Sequence, residues 1–347
     1  MRGNQALIVV TLSAVVGCQS SDRAADQPGS SPAALSGQVS VGGSTTVLPI
    51  SQRMATAFQK QHSGVKIVVD GEATHAGFTK FCSGQADIVG ASRPINAAEN
   101  GACAANRVDY FELPIAFDAL SVVANAKNSF VDCLTVGELK TMWEPAAQGS
   151  VTRWNQVRSG FPNQPLALFG PGKQSGTYDY FTLAIVGTEG SSRNDYTTTT
   201  DDTVLAQRIA DEVNALGFFG YAYYQANKER LKLVGVDAGE GCVVPTPESV
   251  AENRYRPLSR PIFIYVSESA AQRPAVKALA HFYLLPEQSQ SVHEVGYTPL
   301  PVVGLLTMAR RFDEGTTGSL FGGRGAVVGL TADLFQDEDR IKSALVR

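Results

Sequence analysis

Short apolar runs and amphipathic segments alternate along most of the chain. Residues 65–69 have the composition of a buried strand, and Ile50, Met54 and Phe58 share one face of a helix. Loops rich in Gly, Ser and Thr connect strands to the helices that follow, at residues 42–49, 70–78 and 91–94. This alternation predicts an α/β fold with a mostly parallel sheet flanked by helices, and places ligands at the carboxyl ends of the strands.

The middle of the chain carries further strand patterns. Apolar segments predict strands at residues 113–117, 120–124, 166–169 and 260–266. The third of these runs into a glycine-rich loop, residues 170–177, which opens another helix. A helix that starts at Asp201 or Asp202 is expected to bury Val213 and to end at Gly217.

The chain length indicates more than one hydrophobic core. A chain of 347 residues exceeds the size at which a single core usually stops growing, and 44% of its residues are hydrophobic. Strand-like segments near residues 118 and 258 suit two crossings between domains that also act as hinges. We therefore predict one lobe from residues 38–118 and 258–347, and a second lobe from residues 119–257.

The N-terminal segment has the pattern of a secretory leader. Its apolar run from Ala6 to Val16 is too short to span a bilayer and stops just before Cys18. This resembles a bacterial lipobox, which predicts a lipoprotein signal peptide over residues 1–17 and a lipid anchor on Cys18; an ordinary signal peptide with an incidental cysteine is the alternative. Residues 18–37 predict a flexible tether. We expect the protein in the periplasm or at the cell surface, anchored to a bacterial membrane.

The cysteine count favours two disulfides. If Cys18 carries lipid, then Cys82, Cys103, Cys133 and Cys242 remain, and four cysteines allow three pairings in an oxidising compartment. We favour Cys82 with Cys103 and Cys133 with Cys242, because each pair then lies within one predicted lobe. A zinc site is the weaker alternative, because the sequence has no C-x-x-C or H-x-x-x-H spacing.

Charge and motifs argue against several classes of function. The 29 basic and 33 acidic residues give a formal net charge of −4 without a block of five like charges, so a nucleic-acid partner is not expected. The sequence lacks the Walker loop of phosphoryl-transfer proteins and the G-x-S-x-G turn of serine hydrolases. We therefore expect no enzyme, no cofactor and no metal site.

The loops that open helices are candidate anion sites. Backbone N–H groups at a helix N-terminus lack helical partners and carry partial positive charge, and hydroxyls there add hydrogen-bond donors. Arg93 directly follows a strand and can supply a permanent positive charge. Two hydroxyl-bearing segments are expected to face each other across a cleft, Ser44-Thr45-Thr46 and Ser175-Gly176-Thr177. Helix caps and turns that serve only the fold, and a surface ion pair for Arg93, are the alternatives.

Three further residues are weaker candidates for this cleft. His75 lies beside Thr74 in the second loop, although a lone histidine in a loop is more often solvated. Arg193 and Asp195 lie in a polar loop after the glycine-rich segment, where they can close the cleft or remain exposed.

Six motifs in a fixed order resemble those of one known family. They are Gly43-Ser44-Thr45-Thr46-Val47 with Pro49, Ala91-Ser92-Arg93-Pro94-Ile95, Gly170-Pro171-Gly172 with Ser175-Gly176-Thr177, Gly217-Phe218-Phe219-Gly220-Tyr221, Pro257-Leu258-Ser259-Arg260-Pro261 and Gly296-Tyr297-Thr298-Pro299-Leu300-Pro301. Together they resemble the periplasmic phosphate-binding proteins of phosphate ABC transporters, the PstS type, over residues 38–335. Each motif alone is weak, whereas the ordered set is specific.

The resemblance implies a two-lobed periplasmic-binding-protein fold, with a mixed sheet flanked by helices in each lobe and two hinge crossings. Such lobes close on one inorganic phosphate and present it to a membrane permease, and the protein is expected to be a monomer. The ligand set expected from the loops and the resemblance is Ser44, Thr45, Thr46, Thr74, Arg93, Ser175, Gly176 and Thr177. A binding protein for another tetrahedral oxyanion, a sensor and a phosphatase-like enzyme on the same fold are the alternatives.

The sequence departs from the better-known branch of that family at two positions. Those relatives have an aspartate where Arg93 stands, and an arginine where this chain has Pro171. The exchange keeps one cationic donor but removes the carboxylate that in those relatives accepts the phosphate proton and rejects sulfate. Hydroxyl oxygens can accept a hydrogen bond as well as donate one, so Ser or Thr can recognise the protonated oxygen instead.

Overall fold

A computed structural model describes residues 34–346 of the chain, and also Gly3 and Val9. The predicted signal peptide, the lipidation of Cys18 and the tether up to residue 33 therefore lie outside the described residues. Gly37, which we assigned to the end of the tether, is the first residue of the first strand. None of the described helices is long and apolar enough to cross a membrane.

Strands and helices alternate through the described chain. The strands are β1 (Gly37–Gly43), β2 (Val65–Val69), β3 (Ile88–Ala91), β4 (Tyr110–Asn125), β5 (Cys133–Thr135), β6 (Ala167–Pro171), β7 (Thr197–Thr199), β8 (Ala215–Gly220), β9 (Leu231–Asp237), β10 (Cys242–Val243), β11 (Ser259–Ser267) and β12 (Thr298–Pro299). The α-helices are α1 (Leu48–Gln61), α2 (Thr74–Cys82), α3 (Ala97–Ala105), α4 (Val136–Trp143), α5 (Gly176–Phe181), α6 (Asp202–Asp211), α7 (Tyr221–Asn227), α8 (Pro247–Ala251), α9 (Glu268–Ala271), α10 (Pro274–Leu284), α11 (Ser289–Glu294), α12 (Val302–Asp313) and α13 (Glu338–Ala344).

Strand β4 belongs to the sheets of both lobes. The main strand order is β2-β1-β3-β11-β4-β8-β6-β7, with parallel pairs among β1, β2 and β3 and antiparallel pairs on both sides of β11. Residues 110–119 of β4 pair with β11, and residues 120–125 pair with β8 and β9. We call the part around β1, β2, β3 and β11 the first lobe, and the part around β6, β7, β8 and β9 the second lobe.

The main hydrophobic core is continuous through both lobes, and a smaller second cluster lies in the second lobe. In the first lobe, helix α1 buries Ile50, Met54 and Phe58 against the sheet, because residues four apart share a helix face. In the second lobe, the buried ring of Trp143 contacts the rings of Phe181 and Phe218. The mixed sheets flanked by helices confirm the predicted fold class.

Three local predictions were wrong. The strands expected at 113–117 and 120–124 are one continuous strand, because the residues between them are also extended and buried. Gly217 does not end helix α6 but lies inside β8, where an added Cβ would lie 2.7 Å from the carbonyl oxygen of Phe169. Val213 follows α6 and is 45% exposed. The helical pattern extended beyond α6 because a periodic apolar sequence does not show where the next strand begins.

Two disulfides connect elements within the lobes. Cys82 pairs with Cys103 and joins α2 to α3, and Cys133 pairs with Cys242 and joins β5 to β10. The pairing that we favoured is therefore confirmed.

Candidate functional site

The loop between β1 and α1 directs hydroxyl groups toward the second lobe. Its backbone N–H groups are already used: Ser44 N donates to the carbonyl of Gly90, Thr45 N donates to the carbonyl of Glu72, and Thr46 N donates to Oγ of Ser44. Ser44 and Thr46 are buried. Since these amides are taken, the side-chain hydroxyls rather than the free amides expected at a helix start are the groups this loop offers.

The two hydroxyl-bearing loops meet, as the sequence predicted. The hydroxyls of Thr46 and Thr177 lie 2.9 Å apart, and Thr45 Oγ1 donates to Asp202 at 3.1 Å. Ser175 caps the start of α5, where its Oγ accepts a hydrogen bond from the backbone N–H of Thr177. Side chains from both lobes therefore share one buried polar cluster.

A second pair of hydroxyls adjoins this cluster. Thr74 Oγ1 and Ser92 Oγ lie 3.0 Å apart, and both residues are buried. A Cβ added to Gly176 would lie 2.6 Å from Ser92 Oγ and 2.8 Å from Thr74 Oγ1. Only glycine at this position lets the second lobe approach these hydroxyls so closely. Ser92 was not among the predicted site residues, although it precedes Arg93 in one of the six motifs that resemble the family.

Arg260 supplies the cationic group of the cluster. Its Nη2 donates to Thr177 Oγ1 at 2.8 Å and to Asp118 Oδ2 at 2.9 Å, and its Nη1 donates to the carbonyl oxygen of Gly176 at 3.2 Å. Arg260 and Asp118 stand directly opposite each other on the antiparallel strands β11 and β4. Both are completely buried. We define the polar cluster as Thr46, Thr74, Ser92, Gly176, Thr177, Asp118 and Arg260.

Sequence reasoning missed Arg260 and Asp118. Arg260 is the one charged residue of β11 and Asp118 is one of two in β4, and charged side chains are almost never fully buried unless they are paired. That signal was available, but it does not identify the partner. The two residues are 142 positions apart, and only the register of β4 against β11 brings them together.

Asp118 keeps one carboxylate oxygen unused. Its Oδ2 accepts from Arg260, whereas its buried Oδ1 accepts no hydrogen bond from any residue that the structure describes. Burial raises the pKa of Asp118, although the charge of Arg260 and the nearby backbone N–H of Tyr221 act against this rise. A buried acceptor without a donor is costly, so Oδ1 is suited to a ligand that brings its own hydrogen.

Comparison with known proteins identifies the family of this chain. Residues 28–287 match the model of a PBP superfamily domain. Protein SphX of Synechocystis is 46% identical over 85% of this chain and 88% of its own, and the phosphate-binding protein PstS of Staphylococcus aureus is 32% identical over 79% and 81%. The chain belongs to the PstS-type family. A candidate phosphate ABC transporter substrate-binding protein of Clostridium perfringens, solved with bound phosphate, matches 76% of this chain and 100% of its own at 25% identity and a TM-score of 0.65.

In this PstS-type protein, the predicted ligand Arg93 lies beside the polar cluster with most of its donors already bound. It makes two hydrogen bonds to the Glu99 carboxylate, one to the carbonyl of Pro94 and one to Asp179. Burial opposes its charge, but these carboxylates outweigh that effect and raise the pKa of Arg93. One N–H of Nη2 remains, and a direct phosphate contact by Arg93 stays a prediction.

The side chains of the weaker candidates His75 and Arg193 bind groups outside the polar cluster of this family member. The His75 ring is half exposed, and its Nδ1 is 3.2 Å from Oε1 of Glu99. The Arg193 guanidinium binds Asp195 and the carbonyl oxygens of Met142 and Val151. Neither side chain makes a hydrogen bond to the polar cluster in the described part of the chain, although His75 directly follows Thr74, and their roles as ligands also stay predictions.

Asp202 makes the stability of this PstS-type protein depend on pH. Burial raises its pKa to about 7, against the hydrogen bond from Thr45 and the charge of Arg260. The folded protein therefore holds this proton more tightly than the unfolded chain, in which an aspartate has a pKa of about 3.9. The contribution of Asp202 to the free energy of unfolding falls as pH rises from about 4 to 7, and stays low above pH 7.

The expected result is that Asp202→Asn loses less stability than the wild type between pH 4 and pH 8. Urea unfolding at both pH values measures it. Asp211→Asn is the control, because Asp211 is exposed and its only described ion pair is with exposed Arg230. An equal pH dependence in the wild type and in Asp202→Asn would contradict the assignment.

Proposed function

We propose that this protein binds inorganic phosphate in the polar cluster between its lobes. The observation that carries the proposal is the buried Arg260 guanidinium, which contacts the Thr177 hydroxyl and lies beside the unused oxygen of Asp118. A guanidinium and several hydroxyls suit a small oxyanion, because charge-assisted hydrogen bonds are the strong ones in a buried site. The family relationship to phosphate-binding proteins supports the same conclusion.

Phosphate would replace hydrogen bonds that the cluster now makes within itself. The hydroxyls of Thr46 and Thr177 bind each other across the lobes, and those of Thr74 and Ser92 form a second pair. An anion that enters between them exchanges these neutral hydrogen bonds for stronger ones to a charged oxygen. We propose Ser44, Thr45, Ser175 and Gly176 as its further contacts, since they belong to the same two loops.

Asp118 would give the site its preference for phosphate over sulfate. At neutral pH phosphate carries at least one proton that can be donated to Oδ1, whereas sulfate carries none. A carboxylate facing an unprotonated oxyanion would bring two acceptors of like charge together, which costs energy in a buried site. In this proposal Asp118 takes the role of the aspartate that the sequence lacks at position 93.

Calorimetric titration with phosphate and sulfate tests this function. The wild type should bind phosphate strongly and sulfate weakly. Asp118→Asn should weaken phosphate binding by about 10- to 150-fold, the value of one hydrogen bond to a charged group, and should improve sulfate binding. Asp211→Asn again serves as the control. Equal wild-type affinity for both anions would favour a general oxyanion-binding protein, and the absence of binding would refute the proposal.

The remaining predictions complete the proposed role. Residues 38–118 with 258–347, and residues 119–257, are proposed as the lobes that close on the anion, and the change of partner along β4 between residues 119 and 120 supports this division. We further propose that a monomer, lipidated on Cys18 outside the cytoplasm, delivers phosphate to the permease of an ABC transporter. No catalytic step is part of this role.

A further inference from the structure

Arg93 connects the two lobes beside the polar cluster. Its Nη1 and Nη2 each donate to one carboxylate oxygen of Glu99 at 2.8 Å, and Glu99 belongs to α3 of the first lobe. Its Nε donates to Oδ2 of Asp179 at 2.7 Å, and Asp179 belongs to α5 of the second lobe. Opening the lobes would break the second contact and leave the first one intact.

Glu99 holds the guanidinium in position for Asp179. The backbone N–H of Asn96 donates to Oε2 of Glu99 at 3.0 Å, and Asn96 Oδ1 accepts from the backbone N–H of Glu99 at 2.9 Å. This capping box fixes the carboxylate at the start of α3, and the bidentate contact then fixes the plane of Arg93. Lobe closure therefore costs little additional side-chain entropy at Arg93.

The contact with Asp179 is almost free of solvent in the closed arrangement. The Arg93 side chain is 2% exposed and that of Asp179 is 13% exposed. A second interlobe hydrogen bond lies nearby, from the backbone N–H of His75 to the carbonyl oxygen of Gln174 at 3.2 Å. A charged hydrogen bond shielded from water is stronger than an exposed one. Because this bond must break when the lobes separate, it slows their opening.

We propose that Arg93, Glu99 and Asp179 form an interlobe ion bridge that determines how long the closed state persists. Arg93 acts in it as a positioning residue, since the carboxylates of Glu99 and Asp179 hold its guanidinium, whereas Arg260 already donates to the Thr177 hydroxyl of the polar cluster. This inference rests on the proposed phosphate function. It differs from that function in predicting a residue that controls release without touching the anion.

Stopped-flow measurement of phosphate binding and release tests the ion bridge. Asp179→Asn keeps the shape of the side chain and removes its charge. This variant should release phosphate at least about tenfold faster than the wild type, which corresponds to the loss of one charged hydrogen bond. Its association rate should stay near that of the wild type. Asp179→Glu, which retains a carboxylate, should restore part of the slow release.

A matched control and a double variant separate this role from others. Glu138→Gln removes an ion pair, with Arg158, that lies within the second lobe, and it should not change the release rate. Arg93→Gln, combined with Glu99→Gln so that Glu99 does not remain as a buried carboxylate without its partner, should release phosphate as fast as Asp179→Asn. Adding Asp179→Asn to that variant should have no further effect, because all three changes break the same contact.

Three outcomes would overturn the inference. Release from Asp179→Asn at the wild-type rate would show that the bridge does not control opening. If the Arg93 and Asp179 changes have additive effects on phosphate binding, and the Arg93 change weakens binding more, then Arg93 is a direct ligand. Calorimetry of the wild type in the same series tests the proposed function by itself: no phosphate binding would refute both, whereas normal binding with an unchanged Asp179→Asn would refute only the bridge.

Discussion

Replacement of Arg260 by methionine is expected to weaken phosphate binding by about 10- to 150-fold, the contribution of a hydrogen bond between charged groups. It should also lower the free energy of unfolding by about 3–5 kcal/mol, because the buried carboxylate of Asp118 loses its partner. Calorimetry with phosphate measures the first effect, and urea unfolding without phosphate measures the second. The first effect follows from the position of Arg260 beside the hydroxyls of Thr177 and Thr46, and the second follows from its ion pair with Asp118.

A double variant distinguishes loss of the ligand contact from loss of the fold. Asp118→Asn combined with Arg260→Met removes both buried charges, and replacing both partners of a buried ion pair is often close to neutral for stability. We expect its free energy of unfolding to return toward that of the wild type while phosphate binding stays weak. Wild-type affinity in this double variant would exclude Arg260 from the site.

Removal of the disulfide between Cys133 and Cys242 should lower the free energy of unfolding by about 2–5 kcal/mol. This bond closes a loop of 109 residues, and a long loop restricts the unfolded chain strongly. Cys133→Ser with Cys242→Ser, followed by urea unfolding, measures the loss. Phosphate affinity should change little, because neither cysteine contacts the polar cluster in the described chain.

The other disulfide provides an internal comparison. Cys82 and Cys103 are 21 positions apart, so the loop-length term predicts a loss smaller by about 1.5 kcal/mol when that bond is removed. An equal or larger loss from Cys82→Ser with Cys103→Ser would show that loop length does not govern the contribution of these disulfides.

Much of the site could be predicted because its residues are local in sequence. Ser44, Thr45 and Thr46 lie together after a strand, and so do Ser175, Gly176 and Thr177, so a strand followed by a helix places each set as one unit. The structure brings the two sets into contact. The disulfides were similarly accessible, since assigning cysteines to lobes reduced three pairings to one.

The arginines could not be assigned in this way. Arg93 and Arg260 both follow or begin a strand beside a proline, and either one suits an anion site by its local sequence. Their roles separate only through distant partners: Glu99 and Asp179 occupy the donors of Arg93, whereas Arg260 contacts the hydroxyl of Thr177. A local pattern contains no information about which carboxylate each guanidinium meets.

The sequence by itself determined the alternation of strands and helices, the hydroxyl-bearing loops and the family, because spacing and residue type act over a few neighbouring positions. Tertiary structure alone decided that Asp118 faces Arg260, that Ser92 joins the site and that Arg93 reaches Asp179. Those contacts depend on strand register and on the approach of one lobe to the other. Both arise from packing between residues that are far apart in the sequence. Arg93 and Asp179, for example, are separated by 86 positions.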